Sequence, residues 1–212
     1  TLKFANAGDW DTLDPGETYY AYSWNFSRLY GRSLMMFKSA PGKDGNQLVP
    51  DLAEGPGEAS SDAKTWTYKL RQGVKFEDGT EVTSADMKYA ILRSTDKQTF
   101  PNGPAYWEGI LNLPNGYKGP YKTPNMNTDS AIETPDKYTV VFKTKEPYAP
   151  FLNYIASPWT VIVAREVVED ACREVEGRRL AHVERIGDLE AAVEILEGGQ
   201  HEGGGAVPEA PL

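Results

Sequence analysis

The pattern of hydrophobic and polar residues predicts strands most clearly in two short segments of the chain. Residues 66–70 (WTYKL) alternate large apolar with polar side chains, which predicts a half-buried strand. Residues 138–144 (YTVVFKT) are rich in β-branched and aromatic types and form the clearest predicted strand. Residues 73–76 are predicted to begin a further strand. Asp78-Gly79 and residues 134–137 (TPDK) have the composition of turns.

Apolar residues at helical spacing predict helices elsewhere. Residues 23–37 carry Trp24, Leu29, Leu34 and Phe37 at positions that fit an amphipathic helix imperfectly. A second helix is predicted over residues 85–93, with Ser84 as its N-cap and Asp86 near the positive end of its dipole. In the last part of the chain, apolar positions from Val167 onward and a possible cap at Asp188 predict two more helices.

The remaining segments of the first 163 residues are predicted from their glycines and prolines. Residues 41–46 (PGKDGN) separate two apolar segments and favour a tight hairpin turn. Residues 2–5 are predicted to form a short strand. Residues 94–131 contain five prolines and are predicted to form a long ordered loop, a type of segment that is often functional.

The chain changes character near residue 163. All 13 lysines lie at or before Lys145 and all aromatic residues at or before Trp159, whereas residues 164–212 carry 12 acidic and 5 basic side chains. We therefore divide the chain into a body, residues 1–163, and an acidic, partly helical tail, residues 164–212. Residues 202–212, rich in glycine and proline, are expected to fray.

Net charge and hydropathy exclude some classes of partner. The formal net charge is −9 and no block of Lys or Arg is present, which argues against nucleic acid, because such binding needs basic side chains. No stretch approaches the roughly 20 apolar residues of a membrane span. The single cysteine, Cys172, allows no disulfide within the chain.

A longer motif carries a resemblance to a known family. Residues 66–79 (WTYKLRQGVKFEDG), followed by residues 82–88 (VTSADMK), resemble the signature of the extracytoplasmic solute-binding proteins of ABC transporters in the oligopeptide, dipeptide and nickel class, family 5. Residues 12–15 (TLDP), 48–53 (LVPDLA) and 138–142 resemble flanking motifs of the class in the same order. The chain is similar to the N-terminal portion of such a protein, followed by an atypical C-terminal tail.

The resemblance implies a fold and a role. The expected fold class is α/β: a mixed sheet with flanking helices, forming a partial lobe of the type II periplasmic-binding-protein kind with a small β-rich subdomain. The expected function is capture of a peptide or similar small solute outside the cytoplasm of a bacterium and its delivery to the permease subunits of an ABC importer. The precursor is expected to be anchored by a lipid, and no cofactor is expected.

Aromatic residues are the predicted ligand contacts, because their rings supply a large contact area with few rotors to immobilise. In similar proteins the segment after the opening strand faces the cleft. The alternative for each of these residues is packing of the core or of the long loop. The predicted ligand-binding residues are Tyr19, Tyr20, Tyr22, Trp24, Asn25, Tyr106, Trp107 and Trp159.

No catalytic or metal-binding constellation is predicted. His182 and His201 lie far apart in the tail without metal-ligand spacing, and Cys172 is best interpreted as a packed apolar residue. The alternative to solute capture is a truncated or chimeric fragment that acts only as a protein interaction module, or lacks binding activity, with self-association through the tail.

Overall fold

The computed structural model describes residue 8 and residues 10–164. All of them belong to one unit of the chain, Thr1–Arg165. In this part of the chain the helices are α1 (Ala21–Ser27), α2 (Ser84–Arg93), α3 (Tyr106–Ile110) and α4 (Phe151–Tyr154). The strands are β1 (Met35–Phe37), β2 (Leu48–Pro50), β3 (Glu58–Ala59), β4 (Thr65–Lys69), β5 (Ile132–Asp136) and β6 (Thr139–Lys143).

A four-stranded antiparallel sheet with the strand order β3-β4-β6-β5 forms the centre of the described chain. The two most clearly predicted strands, β4 and β6, are its central pair, with Trp66 opposite Phe142 and Tyr68 opposite Val140. These four side chains are buried. The period of two puts them on one face, so the strand predictions for residues 66–70 and 138–144 are confirmed.

Helix α2 covers the sheet at β5 and β6 and completes the core. Met87 and Ile91, four residues apart on one face of α2, are fully buried. Phe142 lies among aromatic rings from other segments, with centroids 5.3 Å from Phe151 and 6.3 Å from Trp107. The core therefore joins residues that are distant along the chain, which the central sheet brings together.

The predicted hairpin around residues 41–46 is present. Strands β1 and β2 pair antiparallel, with Met36 opposite Val49. The connection is a 3₁₀ helix, Gly42–Asn46, so the predicted tight turn is wrong in type. Only Gly42 in this connection has a positive φ, 63°, whereas a two-residue hairpin turn of the favoured I′ type needs two such positions.

The helix predicted over residues 23–37 is wrong beyond Ser27. Helix α1 ends there, and residues 35–37 extend into strand β1 instead. Between them the chain turns at Gly31, whose N–H donates to the Ser27 carbonyl and where a Cβ would lie 2.7 Å from Val161 Cγ1. Packing against Val161 and pairing with β2 override the weak helical spacing.

The helix predicted over residues 85–93 is confirmed, but its N-cap is Thr83 and not Ser84. The Asp86 carboxylate accepts from the Thr83 N–H at 2.7 Å and from the Thr83 hydroxyl at 2.7 Å. The Ser84 hydroxyl instead donates to the Asp136 carbonyl at 2.7 Å. Ser84 thus ties the helix to strand β5, and Asp86 stabilises its N-terminus.

Three further local predictions need correction. Residues 73–76 form only an isolated bridge, Lys75 to Glu81, because the chain turns back at Asp78-Gly79 as predicted. The long loop, residues 94–131, contains the short helix α3. The turn predicted at residues 134–137 instead lies at residues 137–138, because residues 132–136 form the edge strand β5. Pro135 fits in this strand because the pairing with β6 shifts register there.

Several predictions concern residues that the structure does not describe. They are the strand at residues 2–5, the helices after Val167 and Asp188, and the environments of Cys172, His182 and His201. The boundary between residues 163 and 164 therefore stays a prediction. No helix within residues 10–164 combines the length and apolar character that crossing a bilayer requires.

Candidate functional site

A single carboxylate shapes the segment that carries the first predicted ligand contacts. Asp11 accepts hydrogen bonds from the Tyr19 N–H at 2.7 Å, the Thr18 hydroxyl at 2.7 Å and the Ser23 hydroxyl at 2.8 Å. The donors flank the start of α1, where free N–H groups favour an acceptor. Asp11 therefore holds the loop before α1 in place and sets the position of the Tyr19 backbone.

The same hydrogen bonds determine the charge of Asp11. Desolvation acts to raise the pKa of this carboxyl, but the donors, with the Tyr19 N–H foremost, outweigh it and hold the pKa well below its usual 3.8. A pKa that is lower in the folded than in the unfolded chain means that folding stabilises the ionised carboxylate relative to its protonated form. Asp11 contributes stability above its unfolded pKa, and this contribution is lost as the pH falls toward the folded pKa.

We expect the Asp11→Asn variant to be less stable than the wild type at pH 7 by about 1 kcal/mol, the scale of a lost intramolecular hydrogen bond. The difference should shrink as the pH falls below about 4, because Asp11 then takes up a proton in the unfolded wild type while it stays ionised in the folded chain, and this favours unfolding. Urea unfolding of both proteins at several pH values measures the difference. A gap that stays constant down to pH 2 would contradict this assignment.

Four of the eight predicted residues meet in one cluster. We call it the aromatic platform and define it as Tyr19, Trp24, Tyr106, Tyr154 and Trp159. Ring centroids lie 5.3 Å apart for Tyr19 and Trp24, 5.0 Å for Trp24 and Trp159, and 5.1 Å for Tyr106 and Trp159. These rings come from three parts of the chain: the loop before α1 together with α1, helix α3, and the segment from α4 to residue 159. Most of the ring planes are inclined to one another, an arrangement that aromatic pairs favour.

Hydrogen bonds fix the positions of some of the rings in the aromatic platform. The hydroxyls of Tyr19 and Tyr106 contact each other, and the Trp24 Nε1–H donates to the Thr18 carbonyl at 3.1 Å. The contact with Tyr19, together with partial desolvation, raises the pKa of Tyr106. Burial, reinforced by Tyr148 and Tyr106, raises the pKa of Tyr154 as well. The phenols of Tyr106 and Tyr154 are therefore neutral at physiological pH and can donate or accept hydrogen bonds.

Exposure of the rings decides what the aromatic platform can contact. Tyr19 is 48% exposed, and Trp24, Tyr106, Tyr154 and Trp159 are half-buried. Each of these residues therefore keeps part of its surface accessible while the rest is packed. A flat or apolar group can stack on such a surface without displacing the core.

The other predicted residues lie elsewhere. Trp107 is 1% exposed and packs in the core against Phe142 and Tyr154, so its ring anchors α3 and leaves Tyr106 at the surface. Tyr20 and Tyr22 join a second aromatic cluster in which the Trp10 ring lies 4.7 Å from Phe26. Asn25 is exposed on α1. Ligand contact by Tyr20, Tyr22, Asn25 and Trp107 stays a prediction.

Two residues that shape this region did not emerge from the sequence. Tyr154 completes the aromatic platform through contacts with Tyr106 at 5.8 Å and Trp159 at 5.6 Å. Tyr154 could have been found from the sequence, because Tyr148, Tyr154 and Trp159 lie close together along the chain. Asp11 precedes the first residue of α1 by ten residues, and sequence patterns for helix caps extend over only a few residues. Its hydrogen bonds to the loop before α1 are therefore visible only in the folded chain.

A separate cleft of about 290 Å³ opens between the end of α1, strand β1 and residues 156–161. Arg32 and Asp51 line it and form an ion pair in which Arg32 Nε donates to the carboxylate at 2.7 and 2.8 Å. None of the eight predicted residues lines this cleft. Among the described residues, no group of three or more His, Cys, Asp or Glu side chains is arranged to hold a metal ion.

The chain was compared with protein families and curated proteins. The family described as "Bacterial extracellular solute-binding proteins, family 5 Middle" matches residues 47–184, more than half of the chain. The match continues past residue 163 into the predicted tail. The chain is 29% identical over 169 residues to a protein of Escherichia coli (strain K12) named "Probable D,D-dipeptide-binding periplasmic protein DdpA". It is 28% identical over 171 residues to the "Glutathione-binding protein GsiB" of the same strain.

Solved structures show the same fold over about three quarters of the chain. The "Clavulanic acid biosynthesis oligopeptide binding protein 2" is 40% identical, with a TM-score of 0.71 over 76% of this chain. The structure titled "Listeria monocytogenes OppA bound to peptide" is 22% identical, with a TM-score of 0.61 over 74% of this chain, and supports the fold alone. The chain covers 28% of the two curated relatives and 29% of these solved chains. The predicted α/β fold, as a partial lobe of the periplasmic-binding type, is thereby confirmed.

Proposed function

Because the chain belongs to the bacterial extracellular solute-binding proteins of family 5, we propose that it takes part in capturing a peptide or similar small solute outside the cytoplasm. The named relatives are binding proteins and not enzymes. The aromatic platform is the observation that carries the proposal. Rings predicted from sequence as ligand contacts, on segments more than 80 residues apart in the chain, contact each other and keep part of their surface exposed.

The chemistry of the aromatic platform fits reversible binding. Aromatic rings bind flat and apolar groups, and neutral phenols pair with the polar groups of a peptide backbone. Neither interaction involves a covalent step, and we propose that capture is purely non-covalent. A ligand that gains further contacts when lobes close would favour the closed state. Delivery to the permease subunits of an ABC importer follows from the family. Attachment of the precursor to the membrane by a lipid is part of the same proposal.

The affinity of the chain by itself should be modest. It spans 28% of the curated relatives, so the contacts that it supplies are those of one part of a site. A dissociation constant on the order of 1 mM is the expected range for such a partial site. Calorimetry at high protein concentration, or chemical-shift perturbation in NMR spectra, is suited to this range.

We expect the Tyr106→Ala variant to bind the tripeptide Ala-Phe-Ala about tenfold more weakly than the wild type, because it loses the central ring of the aromatic platform. Tyr106 contacts Tyr19, Tyr154 and Trp159, and its side chain is not part of the buried core, so the variant should keep its fold. Titration of the full chain with the tripeptide, followed by NMR, measures the effect.

Tyr30→Ala is the matched control, because Tyr30 is 49% exposed, its ring lies 5.8 Å from Phe26 of the second aromatic cluster, and its hydroxyl donates to the Leu13 carbonyl. It should bind the tripeptide like the wild type. Equal affinity of the wild type and the Tyr106→Ala variant would remove the aromatic platform from the binding site. Absence of binding by the wild type at millimolar tripeptide would refute capture by this chain.

A further inference from the structure

The chain contains two Asn-Gly pairs, Asn102-Gly103 and Asn115-Gly116, and both lie in the long segment between α2 and β5. Glycine has no Cβ, so the backbone nitrogen of a glycine can approach the side-chain amide of a preceding asparagine without steric hindrance. Attack of that nitrogen on the amide carbon closes a five-membered ring. Both pairs carry the same reacting groups, and the fold treats them differently.

The first pair is held closed by its surroundings. Gly103 is buried, and its N–H donates to the Phe100 carbonyl at 3.2 Å. A Cβ on Gly103 would lie 2.3 Å from the Gly16 carbonyl oxygen, so the two loops are in direct backbone contact there. The Gly103 nitrogen can turn toward the Asn102 side chain only if this hydrogen bond breaks and the loops separate.

The second pair lies at the tip of a turn that exposes both residues. The Tyr117 N–H donates to the Pro114 carbonyl at 3.1 Å, and Gly116 has a φ of 80°, the value that the third residue of a type II turn requires. Within the described chain, neither the Gly116 N–H nor the Asn115 side chain has a hydrogen-bond partner. Both residues are exposed, and a Cβ on Gly116 would meet no atom within 4 Å.

The chain on both sides of this turn is anchored. Before the turn, Leu111 is fully buried and forms an isolated bridge with Thr144. After it, Gly119 packs so closely on Asp96 that a Cβ on Gly119 would lie 2.4 Å from Asp96 Cβ. The turn between these anchors is therefore exposed in the folded protein itself, and solvent reaches it without unfolding.

We infer that Asn115 is a site of spontaneous deamidation in the folded protein and that the fold protects Asn102. The Gly116 nitrogen loses its proton to hydroxide and forms a bond to Asn115 Cγ. The bond from Cγ to Nδ2 then breaks, and the nitrogen takes a proton from water and leaves as ammonia. Water opens the resulting succinimide at either carbonyl carbon and leaves aspartate or isoaspartate. The reaction consumes one water, releases one ammonia and changes no oxidation state.

The product differs from the original chain in charge and in main-chain length. The new carboxylate makes the formal net charge of −9 one unit more negative. Isoaspartate also adds a carbon atom to the main chain at the tip of the turn. No residue of the aromatic platform belongs to this turn, so the inference is independent of the proposed binding role.

Incubation of the full chain in a mildly basic buffer, with a parallel sample unfolded in urea, tests the inference. Mass spectrometry of peptides reports the loss of each amide separately. In the folded chain, Asn115 should deamidate at least about tenfold faster than Asn102, because Asn102 reacts only after a hydrogen bond breaks and buried backbone separates. In urea the two rates should converge, mainly because the reaction at Asn102 accelerates.

Three results would overturn the inference. The first is a similar rate at the two sites in the folded chain. The second is an intact Asn115 in the folded chain after a period in which the unfolded chain has lost its amide. The third is a tenfold difference that persists in urea, because it would then come from neighbours in sequence and not from the fold.

Two matched variants give an independent readout by isoelectric focusing. The Asn115→Gln variant keeps an amide, but its longer side chain closes a ring far less readily, so the more acidic form should not accumulate on ageing. Asn102→Gln is the control and should accumulate that form like the wild type. Both asparagines are exposed, so both variants should fold, and circular dichroism checks this. Accumulation of the acidic form in Asn115→Gln at the wild-type rate would refute the assignment.

Discussion

The Asp14→Ala variant should lose about 3 kcal/mol of unfolding free energy, because it leaves the guanidinium of Arg93 buried without its partner. The Arg93 side chain is 1% exposed and forms a two-point contact with the carboxylate of Asp14. The Tyr121 hydroxyl, 3.2 Å from Arg93 Nε, and the Phe100 ring, 4.4 Å from the guanidinium carbon, complete its surroundings. Neither of them carries the negative charge that this cation needs.

Urea unfolding monitored by circular dichroism measures this loss. Glu146→Ala serves as the comparison, because Glu146 pairs with Lys64 but is 83% exposed, and removing an exposed pair should change stability by less than about 1 kcal/mol. Similar losses in the two variants would show that the pair of Asp14 and Arg93 is not effectively buried. The ion pair also fixes the loop before Glu17, so Asp14→Ala should weaken ligand binding together with stability.

The Phe142→Ala variant should lose about 3–5 kcal/mol, the usual cost of removing a fully buried aromatic ring from a core. Phe142 is 0% exposed in the central strand β6 and lies among Tyr68, Trp107 and Phe151. Because each neighbour is itself a large ring held by other contacts, the cavity left by Phe142 cannot close by small movements.

Thermal and urea unfolding of the full chain test this expectation. Phe76→Ala is a matched truncation at a half-buried ring in the turn after β4, and it should cost less than half as much. A loss of under 1 kcal/mol for Phe142→Ala would mean that the strand pair β4–β6 is not the centre of the core. The family signature would then lack the structural role that we give it.

These two variants separate the roles of the residues around the site. Phe142 supports Trp107, which anchors α3 and leaves Tyr106 at the surface, whereas Asp14 supports the loop that carries Glu17 and Tyr19. Tyr106→Ala changes the proposed binding surface and leaves the buried residues in place. Comparing stability with affinity for all three variants distinguishes support of the proposed site from contact with the ligand.

The local residue pattern was sufficient to predict the strands and the helix whose signals lie within a few residues of sequence. Strand β4 followed from the alternation of large apolar and polar residues, and β6 followed from its β-branched and aromatic residues. Helix α2 followed from a polar cap and an acidic first turn. Where contacts with residues distant in sequence decide the conformation, the local residue pattern gave the wrong secondary structure. Met35–Phe37 carried apolar residues at helical spacing, but pairing with Leu48–Pro50 makes it a strand.

The aromatic platform shows the same division. Its residue types were readable, since clustered tyrosines and tryptophans in loops favour a contact surface, and Tyr19, Trp24, Tyr106 and Trp159 were all named as candidate contacts from sequence. Ligand contact by these four residues stays a prediction. Their separation from Tyr20 and Tyr22, and the burial of Trp107, were not readable. These depend on which side of α1 and α3 meets the core.

For this protein, the sequence by itself determined the central strand pair and helix α2, because residue pattern and capping encode them within a few residues. The family followed from residues 66–88, which resemble its signature. Only the tertiary structure decided which aromatic rings converge and which carboxylates are paired. Those outcomes depend on contacts between segments such as residues 11–24 and 93–106. A linear pattern of residue types carries no information on such distances.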